Sequence, residues 1–125
     1  MEATPKPACC RTVNCPVEAT LDLIGGKYKA LILWHLSEGT RRYNELQRAV
    51  PAATPRVLTN QLRELENQKL ITRTVYPVVP PKVEYAMTDL GRSLMPILTA
   101  MRNWGAEYLR NQDIEPNCYM MGESE

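Results

Sequence analysis

Within a short polar segment that starts at Pro16 and stops at Gly25-Gly26, apolar residues fall at Val17, Leu21 and Ile24. That spacing is one stripe of a helix, and the glycine pair ends it. The next segment, KYKALILWHLSEG over 27–39, is apolar almost all round, which predicts a buried central helix ending at Gly39. TRRYNELQRAVP predicts a very short extended piece and then a helix from Tyr43 to about Val50, stopped by Pro51. ATPRVLTNQLRELENQKL opens on Thr54, a favoured N-cap, and on Pro55, which suits a first helical position because its missing N–H has no partner there. In that helix Leu58, Leu62 and Leu65 form an inward stripe at i, i+4 and i+7, and Arg56, Thr59, Asn60 and Arg63 fall opposite. After Leu70 the helical repeat gives way to alternation. LITRTVYP and KVEYAMT, with Val83, Tyr85 and Met87 set against Lys82, Glu84 and Ala86, predict two strands joined by a stiff VVPP tip. A last helical segment runs from Thr88 to about Arg110 with a stripe of Leu90, Leu94, Ile97, Leu98, Met101, Gly105 and Tyr108. Pro96 lies inside it, so a kink or break is expected near Met95.

The resulting order is helix, helix, short strand, helix, helix, strand, strand, helix. This is an α+β class, mainly α. Two short helices joined by a tight turn and followed by a hairpin make the winged helix-turn-helix pattern, flanked here by N- and C-terminal helices. With 125 residues the chain suits one domain. Residues 1–14 read as a loose arm, 15–110 as the domain and 111–125 as an acidic tail.

Charge sharpens this picture. The net charge is only +1, but from Arg41 to Glu84 there are eight Lys or Arg against four acids, and from Asn111 to Glu125 four acids and no Lys or Arg. A basic middle beside an acidic tail suits a polyanion-binding surface, although a mixed solvated face has the same composition. No apolar run approaches the length of a membrane span, and the first residues lack the apolar core of a signal peptide, so a cytoplasmic location is expected and no membrane partner. No catalytic set is visible: there is one histidine, His35, inside an apolar helix, no glycine-rich phosphate loop and no cofactor motif.

The helix from Pro55 to Lys69 has what a major-groove reader needs, an apolar inner face and an outer face of donors. Arg56 and Arg63 can contact phosphates or guanine edges, Asn60 and Gln61 can pair with adenine, and Thr59 can do either. Thr54 caps the same helix end. The hairpin would be the wing, with Arg73 and Lys82 near its strands. Pro77, Pro80 and Pro81 cannot donate ladder hydrogen bonds and fit a protruding loop. Arg41 and Arg42 add charge at the short extended piece. The competing readings are an ordinary amphipathic surface helix and a winged helix used for protein contact. A protein-binding version would show exposed apolar residues at the outer face of 55–69.

CPVEATLDLIGGKYKALIL, RRYNELQRAVP, TPRVLTNQLRELENQKLITRTVYPVVPPKVEYAMTDLGRSL and NWGAEYL together resemble the HxlR-type transcriptional regulators, relatives of the MarR group. The resemblance covers roughly residues 15–110. Tyr28 stands where tryptophan is common in that family and Tyr43 where phenylalanine is common. The resemblance implies a cytoplasmic homodimer that binds double-stranded DNA at a palindromic operator, with repression the usual outcome. It also implies a dimer interface built from the first and last helices, here Val17, Leu21, Leu94, Leu98, Met101, Trp104 and Tyr108.

Four cysteines are too few for a disulfide scaffold. Cys15 precedes Pro16 and so takes the N-cap of the first helix, where free N–H groups and the helix dipole favour an anion. A cysteine so placed can have a lowered pKa, and the thiolate is the form that oxidants attack. Several HxlR-type regulators use a cysteine at this Cys-Pro position as a redox or electrophile sensor, which the resemblance extends to Cys15. Cys118, just past the last helix, is the candidate partner across a dimer, with Cys9 and Cys10 as alternatives. The opposing reading is an inert, half-buried thiol. The four cysteines lack the C-x-x-C pair usual for structural zinc, so no metal is assigned.

Overall fold

The computed structural model describes residues 15–116. Helix α1 spans Pro16–Ile24, α2 Lys29–Ser37, strand β1 Arg41–Arg42, α3 Tyr43–Ala49, α4 Pro55–Asn67, β2 Ile71–Tyr76, β3 Lys82–Met87, α5 Asp89–Arg92 and α6 Met95–Asn111. The architecture is mainly helical with one three-stranded antiparallel sheet in the order β1-β3-β2. It is a winged helix-turn-helix. Among the described residues no helix is long and apolar enough to cross a membrane.

The core gathers on α2, whose Ile32, Leu33 and Leu36 are fully buried, and takes Leu46 from α3, Leu58, Leu62 and Leu65 from α4, and Leu70 and Ile71 from the hairpin. At the end of α1, Gly25 N–H donates to the Leu21 carbonyl at 2.6 Å, and a Cβ there would press on that same oxygen. The predicted caps of α4 form as expected: Thr54 Oγ1 accepts from the Val57 N–H at 3.2 Å, and Pro55 takes the first turn. At its other end Lys69 adopts φ 67, and the Leu70 N–H reaches back to the Leu65 carbonyl at 3.0 Å. This left-handed residue turns the chain from helix into wing.

The wing is tied to that turn by Thr88. Its Oγ1 donates to the Lys69 carbonyl at 2.7 Å and accepts from the Gly91 N–H at 3.1 Å, so one hydroxyl closes the hairpin and caps α5. Gly91 packs so closely on the Leu70 carbonyl that any Cβ would collide with it. Pairing of Arg73 with Tyr85 and of Arg41 with the same Tyr85 sets the hairpin register against the short strand.

The last helical segment departs from its simplest reading in two ways. It is broken, as Pro96 requires, into α5 and α6, with Pro96 taken into the first turn of α6 where no N–H is missed. Its apolar positions also belong to two faces and not one. Leu94 and Leu98 point into the protomer core, Leu98 being 1% exposed, whereas Ile97, Met101, Trp104 and Tyr108 stay exposed. Leu90, read as part of the same stripe, is exposed on α5. At about 100° per residue, positions 97, 101, 104 and 108 lie within one narrow sector, roughly 70° from the direction of Leu94 and Leu98. The family resemblance puts Leu94 and Leu98 on the dimer face; here they fill this protomer's own core.

His35 is buried in α2. Burial pushes its pKa below the ordinary imidazole value; Glu38 opposes the shift and Arg41 adds to it. A base whose folded pKa is lowered stays neutral in the native state while the unfolded chain still takes up a proton. Its contribution is therefore complete above the unfolded value of about 6.5 and is lost as pH falls through it. Denaturant unfolding between pH 7.5 and 5.5 is expected to show the wild type losing stability more steeply than His35→Gln. The difference in slope is at most one proton, about 1.4 kcal/mol per pH unit. Equal slopes would mean that His35 does not titrate on unfolding.

Candidate nucleic-acid interface

With Leu58, Leu62 and Leu65 turned inward, the opposite side of α4 must face solvent. Arg56, Asn60 and Arg63 are all exposed there, at i, i+4 and i+7, so their side chains line one edge of the helix. Thr59, at the flank, is half-buried, and its hydroxyl lies 3.4 Å from the Tyr43 hydroxyl. Tyr43 Oη also donates to the Pro55 carbonyl at 3.3 Å, which pins the start of α4 to the start of α3. Thr54 is exposed but its oxygen is committed to the cap.

Gln61 does not join the outer face. Its Oε1 accepts the Tyr28 backbone N–H at 2.9 Å, in the turn between α1 and α2. Two further polar links run the same way. Lys29 Nζ, buried at the start of α2, meets Glu64 Oε1 at 2.7 Å and lies 3.5 Å from the Asp22 carbonyl. Gln68 Nε2 donates to that Asp22 carbonyl at 3.3 Å. Lys29 is the one charged side chain in an otherwise apolar helix, and that anomaly in the sequence could have flagged it. These links fix α4 against the end of α1.

The wing stands beside α4. Arg73, exposed on β2, shares with Tyr43, Thr59, Arg63, Glu66 and Tyr85 a hollow of about 270 Å³ between helix and hairpin. Arg63 and Arg73 thus come together, and Glu66 limits how much positive charge this cleft presents. A second hollow, about 540 Å³, lies between the start of α3 and the wing tip and includes Arg42, Tyr43 and Asn44. Tyr43 borders both, so the two are parts of one surface. Other predicted cations are partly engaged within the protomer. Arg41 is half-buried and 3.8 Å from Glu38, and Lys82 lies 3.4 Å from Glu84 with its ammonium over the Tyr76 ring at 4.9 Å. Arg42 is exposed. The arrangement can do what a groove reader does: donors on a rigid helix for base edges and phosphates, cations at its flank for the backbone.

Away from this surface, Val17 and Leu21 on α1 are exposed, as are Ile97, Met101, Trp104 and Tyr108 on α6. Trp104, 71% exposed, stacks on Tyr108 with ring centroids 5.4 Å apart. Cys15 takes the N-cap of α1 as predicted, but its side chain makes no cap hydrogen bond and the residue is only 3% exposed. Cys9, Cys10 and Cys118 lie outside the described residues.

Comparison with known proteins agrees with this geometry. The family model for HxlR-like helix-turn-helix proteins matches residues 23–113. The HTH-type transcriptional regulator YdeP of Bacillus subtilis (strain 168) is 53% identical over 95 residues, 76% of this chain and 74% of that one. The redox regulator HypR superposes in its oxidised form with TM-score 0.70 at 53% identity, covering 73% of this chain and 94% of the other. Its reduced form gives TM-score 0.71 at 52% identity, covering 76% and 93%. The chain belongs to the HxlR-like helix-turn-helix family of transcriptional regulators.

Proposed function

We propose that the protein is a dimeric, sequence-specific repressor working in the cytoplasm, whose α4 enters the major groove of a palindromic operator. One observation carries the reading: the exposed stripe of Arg56, Asn60 and Arg63 backs onto three fully buried leucines. Arg42 and Arg73 hold the flanking backbone, joined by Arg41 and Lys82 when DNA competes with their internal partners. An outer face without exposed large apolar residues argues against a protein-docking role for α4.

The second copy docks on the outer face of α6. Ile97, Met101, Trp104 and Tyr108, with Val17 and Leu21 of α1, form apolar surface of the kind that marks an interface. Two recognition helices related by a two-fold axis then read half-sites one helical turn, about 10 bp, apart.

Control passes through Cys15. Two observations support this, the likeness to the redox regulator HypR in both its forms and the place of Cys15 at the N-cap of α1, the helix whose Val17 and Leu21 are exposed. A peroxide accepts two electrons and two protons as an Sγ–Sγ bond forms between Cys15 and Cys118 of the partner chain, or Cys9 or Cys10; its O–O bond breaks and the oxygens leave as water or alcohol. The burial of Cys15 favours the opposite reading, an inert thiol in a regulator answering another signal, because an oxidant must reach the sulfur.

Three experiments test these statements. Arg56→Ala and Arg63→Ala are each expected to cost about 1–3 kcal/mol and relax base preference where the side chain reads an edge. Where it holds a phosphate, all sequences weaken alike and the salt slope falls by about 1. Gel-shift titrations of duplexes from upstream of the protein's own gene at several salt concentrations decide it. Unchanged affinity and preference in both variants contradicts the assignment of α4.

Charging the outer face of α6 by Met101→Glu with Trp104→Glu is expected to yield folded monomers in sedimentation velocity, with operator binding lost at the same time. Both positions are exposed, so the protomer should keep its helical signal. A stable dimer in the double variant would place the interface elsewhere.

For the switch, operator binding is measured before and after mild oxidation for the wild type, Cys15→Ser and Cys118→Ser, with gels run without reductant. Wild-type protein should lose operator affinity and form a cross-linked dimer, and Cys15→Ser should do neither. A Cys15→Ser protein that still responds supports the inert reading.

A further inference from the structure

The tip of the wing is Pro77-Val78-Val79-Pro80-Pro81, five residues without a charge between strands that carry Arg73 and Lys82. It is not folded back on the domain: Val79 is 99% exposed and Val78 52%. Val75 and Tyr76, on the strand leading to it, are also exposed, one on each face of the hairpin, with the Lys82 ammonium over the Tyr76 ring. Single exposed valines are ordinary, but a contiguous apolar projection marks a contact site.

The chemistry of the tip suits the usual duty of a wing, gripping phosphates, poorly. It has no cationic side chain, its three prolines have no N–H, and the Val78 N–H already donates to the Tyr76 carbonyl at 2.8 Å, which leaves the Val79 N–H as its one uncommitted backbone donor. The cations stand behind it. Arg42 and Lys82 line the hollow beneath the tip, and Tyr43 joins that hollow to the cleft that holds Arg63 and Arg73. The apolar projection is therefore continuous with the surface of α4 and is bordered by positive charge. A narrow groove walled by phosphates and floored by sugars and base edges has the complementary arrangement.

We propose that the wing tip is an apolar wedge for the DNA minor groove. Val79 and its neighbours press on sugar faces and base edges while Arg42, Arg73 and Lys82 face the phosphates on either side. Apolar side chains used in this way open base steps and bend the duplex, and pyrimidine–purine steps yield most easily. The tip thus selects a deformable step outside the half-site that α4 reads, without a hydrogen bond to any base. The three prolines stiffen the loop, so little conformational freedom is lost when it docks. This inference rests on the reading of the chain as a DNA-binding regulator and adds a second specificity element to it.

The test uses the full-length protein and a duplex obtained by in vitro selection with the wild type. Affinity is measured at several salt concentrations, and bending by energy transfer between dyes at the duplex ends. Val79 is exposed, so V79A and V79K should fold as the wild type does. V79A is expected to bind on the order of tenfold more weakly with an unchanged salt slope and a smaller bend. Its loss should be greatest for duplexes with a pyrimidine–purine step under the tip. R73A, as control, should lower the salt slope by about 1. Wild-type affinity and bend in V79A overturn the wedge, and so does tighter, more salt-dependent binding by V79K, which would put the tip beside phosphate. Intact DNA binding by V79A with regulation lost in a reconstituted transcription reaction would also overturn it, showing that the tip docks on protein. If the wild type selects no duplex, the regulator reading itself fails and the wedge falls with it.

Discussion

Three leucines decide which way the recognition helix faces. Leu58, Leu62 and Leu65 are each no more than 1% exposed, and burying a leucine side chain is worth about 1.5–3 kcal/mol. Rotating α4 by one residue would bring that stripe toward water and drive Asn60 or Arg63 toward the core, at the further cost of burying unpaired polar groups. The rotation of α4 about its axis is thus strongly constrained. The positions of Arg56, Asn60 and Arg63 follow from it, and the hairpin, closed onto the end of α4 by the left-handed Lys69 and the Thr88 hydroxyl, is placed relative to them.

Packing fixes the rotation of α4, and polar links fix where its body sits. Gln61 holds the Tyr28 N–H, Glu64 holds the Lys29 ammonium, and Gln68 shares the Asp22 carbonyl with Lys29. All three tie α4 to the junction of α1 and α2. The Glu64 side chain is more than half exposed, so its ion pair contributes modestly by itself. Its larger effect is to give a buried ammonium its carboxylate partner, since a buried charge without a partner is costly. Because Cys15 begins α1 and Asp22 lies near its end, a shift of α1 has a short polar route to the recognition helix.

Much of this was legible in the residues themselves. Thr54-Pro55 set the start of α4, Pro96 broke the last helix, and the change from helical spacing to alternation marked the wing. The outer edge of α4 was also readable, because the leucine stripe leaves little choice. What was not legible depended on partners distant in sequence. Gln61 sits one residue from Asn60 and has similar chemistry, and only the arrival of Tyr28 beside it turns it from base reader into structural acceptor. In α6 two apolar faces overlap in sequence. Leu94 and Leu98 could not be told from Ile97 and Met101 until the core showed which pair it had room for. Burial of Cys15 is likewise a tertiary outcome that its N-cap position does not announce.

We propose that DNA meets the surface formed by α4 and the wing. The most direct measurement is the change in backbone amide NMR shifts when a specific operator duplex is added to isotope-labelled protein. The largest changes are expected on Arg56, Thr59, Asn60 and Arg63 and on the non-proline residues of the hairpin from Arg73 to Lys82, with the buried leucines between them shifting less. Changes confined to α1 and the outer face of α6, with α4 and the wing silent, would contradict it.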